Sequence, residues 1–186
     1  STQGVSSAAS DVYKRQAGDS PYLSESAFAG NESLISLERL CDWGWLKKDI
    51  LADFIATGKD LPPSEVAAEK ARILWNLSHD KDLVISWQPF RDFCEANAYW
   101  LDDYALFRSI RDFFKGRPWT EWPDDIRCHD AAALTRYAKE LAGTVSHVKF
   151  MQYIFDRQWH ELRAYAKENG ITILGDLPMF LSLIHI

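Results

Sequence analysis

The chain has 186 residues, a net charge of −6 and 47% hydrophobic residues, enough apolar material for the core of one sizeable domain. The acidic balance argues against a nucleic-acid partner, which a basic patch would mark. Three widely spaced cysteines, Cys41, Cys94 and Cys128, give no zinc motif and suit a reducing cytoplasm, and no apolar run is long enough to cross a bilayer.

The two ends read differently from the rest. Ser1–Gln16, STQGVSSAASDVYKRQ, has neither helical periodicity nor the apolar stretch of a signal peptide. Leu181–Ile186, LSLIHI, is apolar where a polar loop is expected. Both strings resemble translated adapter scars that flank gene pieces, so residues 1–16 and 181–186 are expected to lie outside the fold.

From Gly18 to Asn31 the chain reads as a loop, with Pro21 holding Ser20 extended. Tyr22 and Phe28 are aromatics in this polar loop, either pins to the core or a platform for the apolar face of a sugar ring. Trp45, Leu46, Ile50, Phe54 and Ile55 predict a short helix over Trp45–Ala56, ended by Gly58 and Pro62-Pro63. Ser64 is the expected N-cap of a second helix, reaching about Trp75 or Leu77.

A third helix begins near Pro89 and keeps its apolar face through Leu106, Ile110 and Phe113, until Gly116 and Pro118 stop it. Its adjacent Asp102 and Asp103 point about 100° apart and cannot flank one bond as an acid/base pair. One is expected to be buried and hydrogen-bonded, the other solvated. Pro118–Pro123, PWTEWP, is a rigid loop whose Trp119 and Trp122 either plug the helices or stack on a sugar. Asp130 is the expected N-cap of a helix reaching Ala142, with Gly143 weakening or breaking the chain before the next one.

That next helix carries Phe150, Met151, Ile154, Phe155, Trp159, Leu162 and Ala166 at steps of three and four, one apolar face. Asn169-Gly170 ends it. Ile171–Leu174 is β-branched and short, a predicted buried strand, and Gly175-Asp176-Leu177-Pro178 leaves it. Asp176 is either a turn residue or an acid at the functional end of a parallel strand. The five histidines form no metal motif, and there is no glycine-rich phosphate loop.

Three segments, in order, resemble the amylomaltases, the disproportionating 4-α-glucanotransferases: DSPYLSESAFAGN from Asp19, FCEANAYWLDDYALF from Phe93, and ITILGDLPMF from Ile171. Glu32 stands where the family usually has proline, and Leu23 where it often has glutamine. The resemblance implies an α/β fold: an incomplete (β/α)8 barrel over residues 17–180, with a mostly helical insertion at about 40–145. A complete barrel needs about 250 residues, so the expectation is an N-terminal fragment.

The resemblance further implies transfer of α-1,4-glucan segments between malto-oligosaccharides by a retaining double displacement, in the cytoplasm and without metal or organic cofactor. Tyr22 and Asp176, with Asp19 and Ser20, are the substrate-binding residues it implies. The nucleophile and acid/base are expected on later strands, beyond Phe180, so the chain alone is expected to be inactive. The competing readings are a non-catalytic helical module that binds carbohydrate or protein, and a fragment of an α-amylase-like hydrolase.

Overall fold

Asparagine, serine and aspartate cap several of the helices and turns of this chain, and glycine follows the ends of some of them. The computed structural model describes residues 7–9, 23–24, 26–80, 88–174 and 180–181. It divides into two compact units, Ser1–Ile73 with Gln152–Ile186, and Leu74–Met151.

In the first unit Asn31 opens a 3-10 turn, Glu32–Leu34, by accepting the Ser33 amide at 3.1 Å. Ser36 then caps helix α1, Leu37–Asp42, accepting the Arg39 amide at 3.2 Å. Gly44, at φ 74°, takes the left-handed conformation just past its end. Helix α1 was not foreseen: six residues show too little of a helical period to stand out from a loop. Helix α2 spans Lys48–Gly58, so the predicted start at Trp45 is corrected by a turn through Trp45 and Leu46, both amides bonding back to the Leu40 carbonyl.

Helix α3 spans Pro63–Ser78. Pro63 is its first residue, where a missing N–H costs nothing. Ser64 therefore lies inside the helix, and the expected cap there is corrected.

In the second unit helix α4 is Gln88–Ala96 and helix α5 is Ala98–Phe113. The sequence predicts one continuous helix here. Asn97 interrupts it, with its side chain donating to the Phe93 carbonyl at 2.9 Å and accepting from the Trp100 indole at 3.0 Å. Past the end of α5, Lys115 and Gly116 both take positive φ. Helix α6, Asp124–Arg127, and helix α7, Ala131–Glu140, follow. Asp130 caps α7 as expected, accepting the Ala133 amide at 2.8 Å. Ile110, Trp122, Ile126, Ala133 and Tyr137 form a buried cluster between these elements.

Helix α8 runs from Ala142 to Glu168. The break falls at Leu141, and Gly143 is accommodated in the first turn of α8. The far end is closed by Gly170 at φ 70°, with the Ile171 amide reaching the Ala166 carbonyl at 2.8 Å and the Gly170 amide the Lys167 carbonyl at 3.1 Å. Phe150, Met151, Ile154 and Ala166 are buried as the period predicts. Leu162, placed on the same face, is 52% exposed. Periodicity fixes which side of a helix a residue occupies, not whether a neighbour covers it.

Strand β1, Ser7–Ala9, pairs in parallel with strand β3, Thr172–Leu174, in the register Ser7↔Thr172 to Ala9↔Leu174. Strand β2, Leu23–Ser24, pairs in parallel with strand β4, Phe180–Leu181. Part of the stretch 1–16 and the first residue of 181–186 thus belong to strands. Parallel pairing between distant segments agrees with an α/β chain. A barrel is not formed among the described residues: these strands make two separate pairs of two or three residues, and such pairs cannot close. Nor is β3 the buried strand expected: Leu174 is 56% exposed, and among the described residues β3 pairs with β1 alone.

Candidate functional site

The best-defined part of the candidate site is the loop after β2, residues 26–36, and the face of α8 that holds it. The Ser26 hydroxyl accepts the amides of Phe28 at 3.1 Å and Ala29 at 3.2 Å, which bends the backbone back over the serine. Ser26, Ala29 and Gly30 are buried, while the Phe28 ring between them is 53% exposed.

Two glutamines of α8 then fix the loop through its backbone. Gln152 Oε1 accepts the Gly30 amide at 2.8 Å, and its Nε2 donates to the Gly30 carbonyl at 3.2 Å and to Glu32 Oε1 at 3.3 Å. Gln158 repeats the arrangement with Ser36, accepting its amide at 2.8 Å and donating to its carbonyl at 3.0 Å. A primary amide offers both a donor and an acceptor in one plane, so each glutamine pairs with one residue as a neighbouring strand would. Gln152 is only 2% exposed, and these bonds satisfy polar groups that would otherwise be costly to bury.

Gly30 is also required sterically. A Cβ built there would lie 2.0 Å from Cδ1 of Phe155 and 2.3 Å from Cε1, so the loop backbone rests directly on that ring. Lys70 of α3 donates to the Ser33 carbonyl at 2.6 Å, and its burial lowers its pKa.

Beyond the loop, the turn after α1 is tied to the same helix. The Trp43 indole donates to Glu161 Oε1 at 3.0 Å, and the Arg157 guanidinium lies 3.9 Å from the Trp43 ring centre and 5.1 Å from that of Trp45. Trp45 stacks on Tyr153, whose hydroxyl is raised in pKa by burial. Here the rings and the carboxylate satisfy one another, which makes the cluster a packing device.

The residues that the sequence singles out fare unevenly. Asp19, Ser20, Tyr22 and Asp176 lie outside the described residues. Neither Asp102 nor Asp103 is buried, which corrects the expectation for that pair; Asp102 forms an ion pair with Lys149. Trp122 is buried, stacks on Phe114 and donates its indole N–H to the Arg117 carbonyl at 3.0 Å, so it plugs the helices of its own unit. Trp119, half-buried, packs against the same cluster. Gln152 and Gln158 were not foreseen. The available signal was their polarity at positions flanking a strongly apolar helix face, where a polar side chain needs a partner.

Among the described residues no group of three histidine, cysteine, aspartate or glutamate side chains could hold a metal ion, and no helix is long and apolar enough to cross a membrane.

The 4-alpha-glucanotransferase family model matches residues 5–183. The chain is 35% identical over 168 residues to the 4-alpha-glucanotransferase of Streptococcus pneumoniae serotype 4, covering 89% of this chain and 33% of that protein. It is 37% identical to the Aquifex aeolicus 4-alpha-glucanotransferase over 165 residues, with the same coverage of 89% and 33%. Among solved structures, it is similar to the amylomaltase from Streptococcus agalactiae in complex with acarbose, with a TM-score of 0.76 at 27% identity, over 91% of this chain and 35% of that one. The chain therefore spans about a third of the length of these relatives.

Proposed function

Because the chain belongs to the 4-alpha-glucanotransferase family, we propose that it is a barrel-forming part of an enzyme that moves α-1,4-glucan segments between malto-oligosaccharides. The observation that carries this reading is the family match over residues 5–183, which takes in all three motif segments in order. The Streptococcus agalactiae amylomaltase holds acarbose, which supports a carbohydrate ligand for this chain too.

In the reaction a carboxylate attacks the anomeric carbon as the glycosidic C–O bond breaks, and an acid protonates the leaving oxygen. A sugar hydroxyl then displaces the carboxylate and returns its proton to the same acid/base group, so the linkage is retained. Both groups belong to strands after Phe180 in this reading, and the contribution of this chain is binding. Tyr22 would stack on or hydrogen-bond to the glucan, while the Asp176 carboxylate, with Asp19 and Ser20, would accept from sugar hydroxyls.

The parallel pairing of β1 with β3 and of β2 with β4 supports an α/β barrel part. Residues 17–180 then contribute barrel segments interrupted by helices at about 40–145, and the cytoplasm is the proposed location, in keeping with three free thiols.

Maltotriose is the test. This chain alone should leave it unchanged, whereas an enzyme of full family length containing it should release glucose and build longer glucans. Hydrolysis by that enzyme without chain lengthening would overturn the transferase reading. There, Asp176→Asn should slow the reaction far less than loss of a nucleophile would, and Tyr22→Phe separates the hydroxyl from the ring.

A further inference from the structure

Three side chains from other helices each take one carbonyl of the loop, at residues 30, 33 and 36. Gln152 Nε2 donates to Gly30 at 3.2 Å, Lys70 Nζ to Ser33 at 2.6 Å and Gln158 Nε2 to Ser36 at 3.0 Å. The outer two pins are neutral amides. The middle one is an amine, the member of the three that can change charge or act as a nucleophile.

Among the described lysines, Lys70 and Lys149 are half-buried and the others are exposed. Lys149 forms an ion pair with Asp102, whereas Lys70 makes its short bond to an uncharged carbonyl. Glu38 is the carboxylate whose charge acts on Lys70, and its Oε2 accepts the Ser36 hydroxyl at 2.8 Å. Burial outweighs that attraction and lowers the Lys70 pKa. More of this amine is therefore neutral at a given pH, and the neutral amine is the form whose lone pair attacks a carbonyl carbon.

We infer that the Lys70 amine, set between α3 and the Ser33 carbonyl, is a modification site for the open-chain aldehyde of a reducing sugar. The nitrogen lone pair attacks the aldehyde carbon and a C–N bond forms, while the carbonyl oxygen takes up one proton from the nitrogen. That oxygen then leaves as water with the second N–H proton, and a C=N bond remains; nothing is oxidised or reduced. The sugar class rests on the function proposed above, since a malto-oligosaccharide, and the glucose released from one, each carry one masked aldehyde. The reactive amine rests on the geometry. The neutral imine nitrogen carries no hydrogen, so the adduct removes the Ser33 pin and spares those at Gly30 and Ser36.

The test incubates the 186-residue chain with isotope-labelled glucose and cyanoborohydride, which reduces the imine to a stable secondary amine, and follows each lysine by peptide mass spectrometry. Lys70 should take up label severalfold faster than the exposed Lys59 and Lys167, and faster than Lys149. Lys70→Arg should abolish the fast label while keeping a donor for Ser33, so the chain stays folded. Glu38→Gln should raise the rate at Lys70, because that carboxylate is what favours the charged amine. Labelling of Lys70 no faster than Lys59 overturns the site, and a slower reaction in Glu38→Gln overturns the role of burial in freeing the amine. Formaldehyde in place of glucose separates the amine from the sugar: if formaldehyde marks Lys70 first and glucose does not, the sugar assignment is overturned. These labels read amine chemistry alone, so their failure is distinct from failure of the transferase reading, which the maltotriose assay decides.

Discussion

Gln152 and Gly30, 122 positions apart in sequence, are joined by a reciprocal pair of hydrogen bonds, 2.8 Å from the glycine amide to Oε1 and 3.2 Å from Nε2 to the glycine carbonyl. The bonds are buried, so each is protected from exchange with water and each would be costly to leave half-made. They bind the first aromatic loop of the chain to its longest helix. The local order of residues 26–36 is therefore a property of α8 as much as of the loop.

The closeness of that seat gives the first prediction. Gly30→Ala should destabilise the chain by about 1–3 kcal/mol, the usual cost of forcing a methyl group into a packed site. Phe155→Leu should relieve part of the loss in the double variant, since Cδ1 and Cε1 of the ring are what the new methyl would strike. Urea unfolding of the two single variants and the double variant measures the coupling. Strict additivity would mean that the backbone moves away from the ring.

The two tryptophans of the PWTEWP loop should separate cleanly. Trp122 is 7% exposed within the Ile110–Tyr137 cluster, so Trp122→Ala should cost about 3–5 kcal/mol through the cavity it leaves. Trp119→Ala, at a half-buried position, should cost clearly less. Thermal unfolding of the two variants orders the effects, and equal losses would mean that Trp119 is as enclosed as Trp122.

Two carboxylates on the first unit should respond to pH with opposite sign. Asp156 is raised above the ordinary carboxylate range because burial penalises its charge, more than the neighbouring His160 offsets. The folded chain then holds a proton that the unfolded chain releases. The resulting stability is fully present below the ordinary carboxylate pKa and is lost as pH rises through the higher folded value. Glu38 is lowered, first by its own backbone amide and then by the Ser36 hydroxyl. Its contribution is present above the ordinary glutamate pKa and is lost as pH falls through the folded value. Carbon-detected NMR titration should find Asp156 above and Glu38 below their usual ranges. Asp156→Asn should flatten the first slope, and Glu38→Gln the second. Titration of both at ordinary values would remove the basis for either slope.

Much of the helical framework was legible without coordinates, for local reasons. Asp130 caps α7 because a carboxylate three residues before an orphan amide accepts it wherever the helix sits. Asn169-Gly170 ends α8 because only a residue free to take positive φ lets the chain turn back on the last carbonyls. The short apolar run after it is a strand, Thr172–Leu174, close to the predicted span. Where prediction slipped at helix ends, a single side chain or a very short element was responsible. Asn97 breaks a helix by bonding the Phe93 carbonyl, and α1 is too brief for its period to register.

By itself the sequence determined the ends at Asp130 and at Asn169-Gly170, the apolar face of α8, the strand segment after it and, through three motif segments, the family. Each of these depends on residues within a few positions of one another, where spacing and side-chain chemistry suffice. Tertiary structure alone decided that Gln152 and Gln158 clasp Gly30 and Ser36, that Ser7–Ala9 pairs with Thr172–Leu174, and that Leu162 and Phe28 face outward while Trp122 is enclosed. These outcomes depend on which distant surfaces meet. A glutamine on a helix has the same local preferences whether it faces water or a buried backbone amide, and only the arriving chain distinguishes the two.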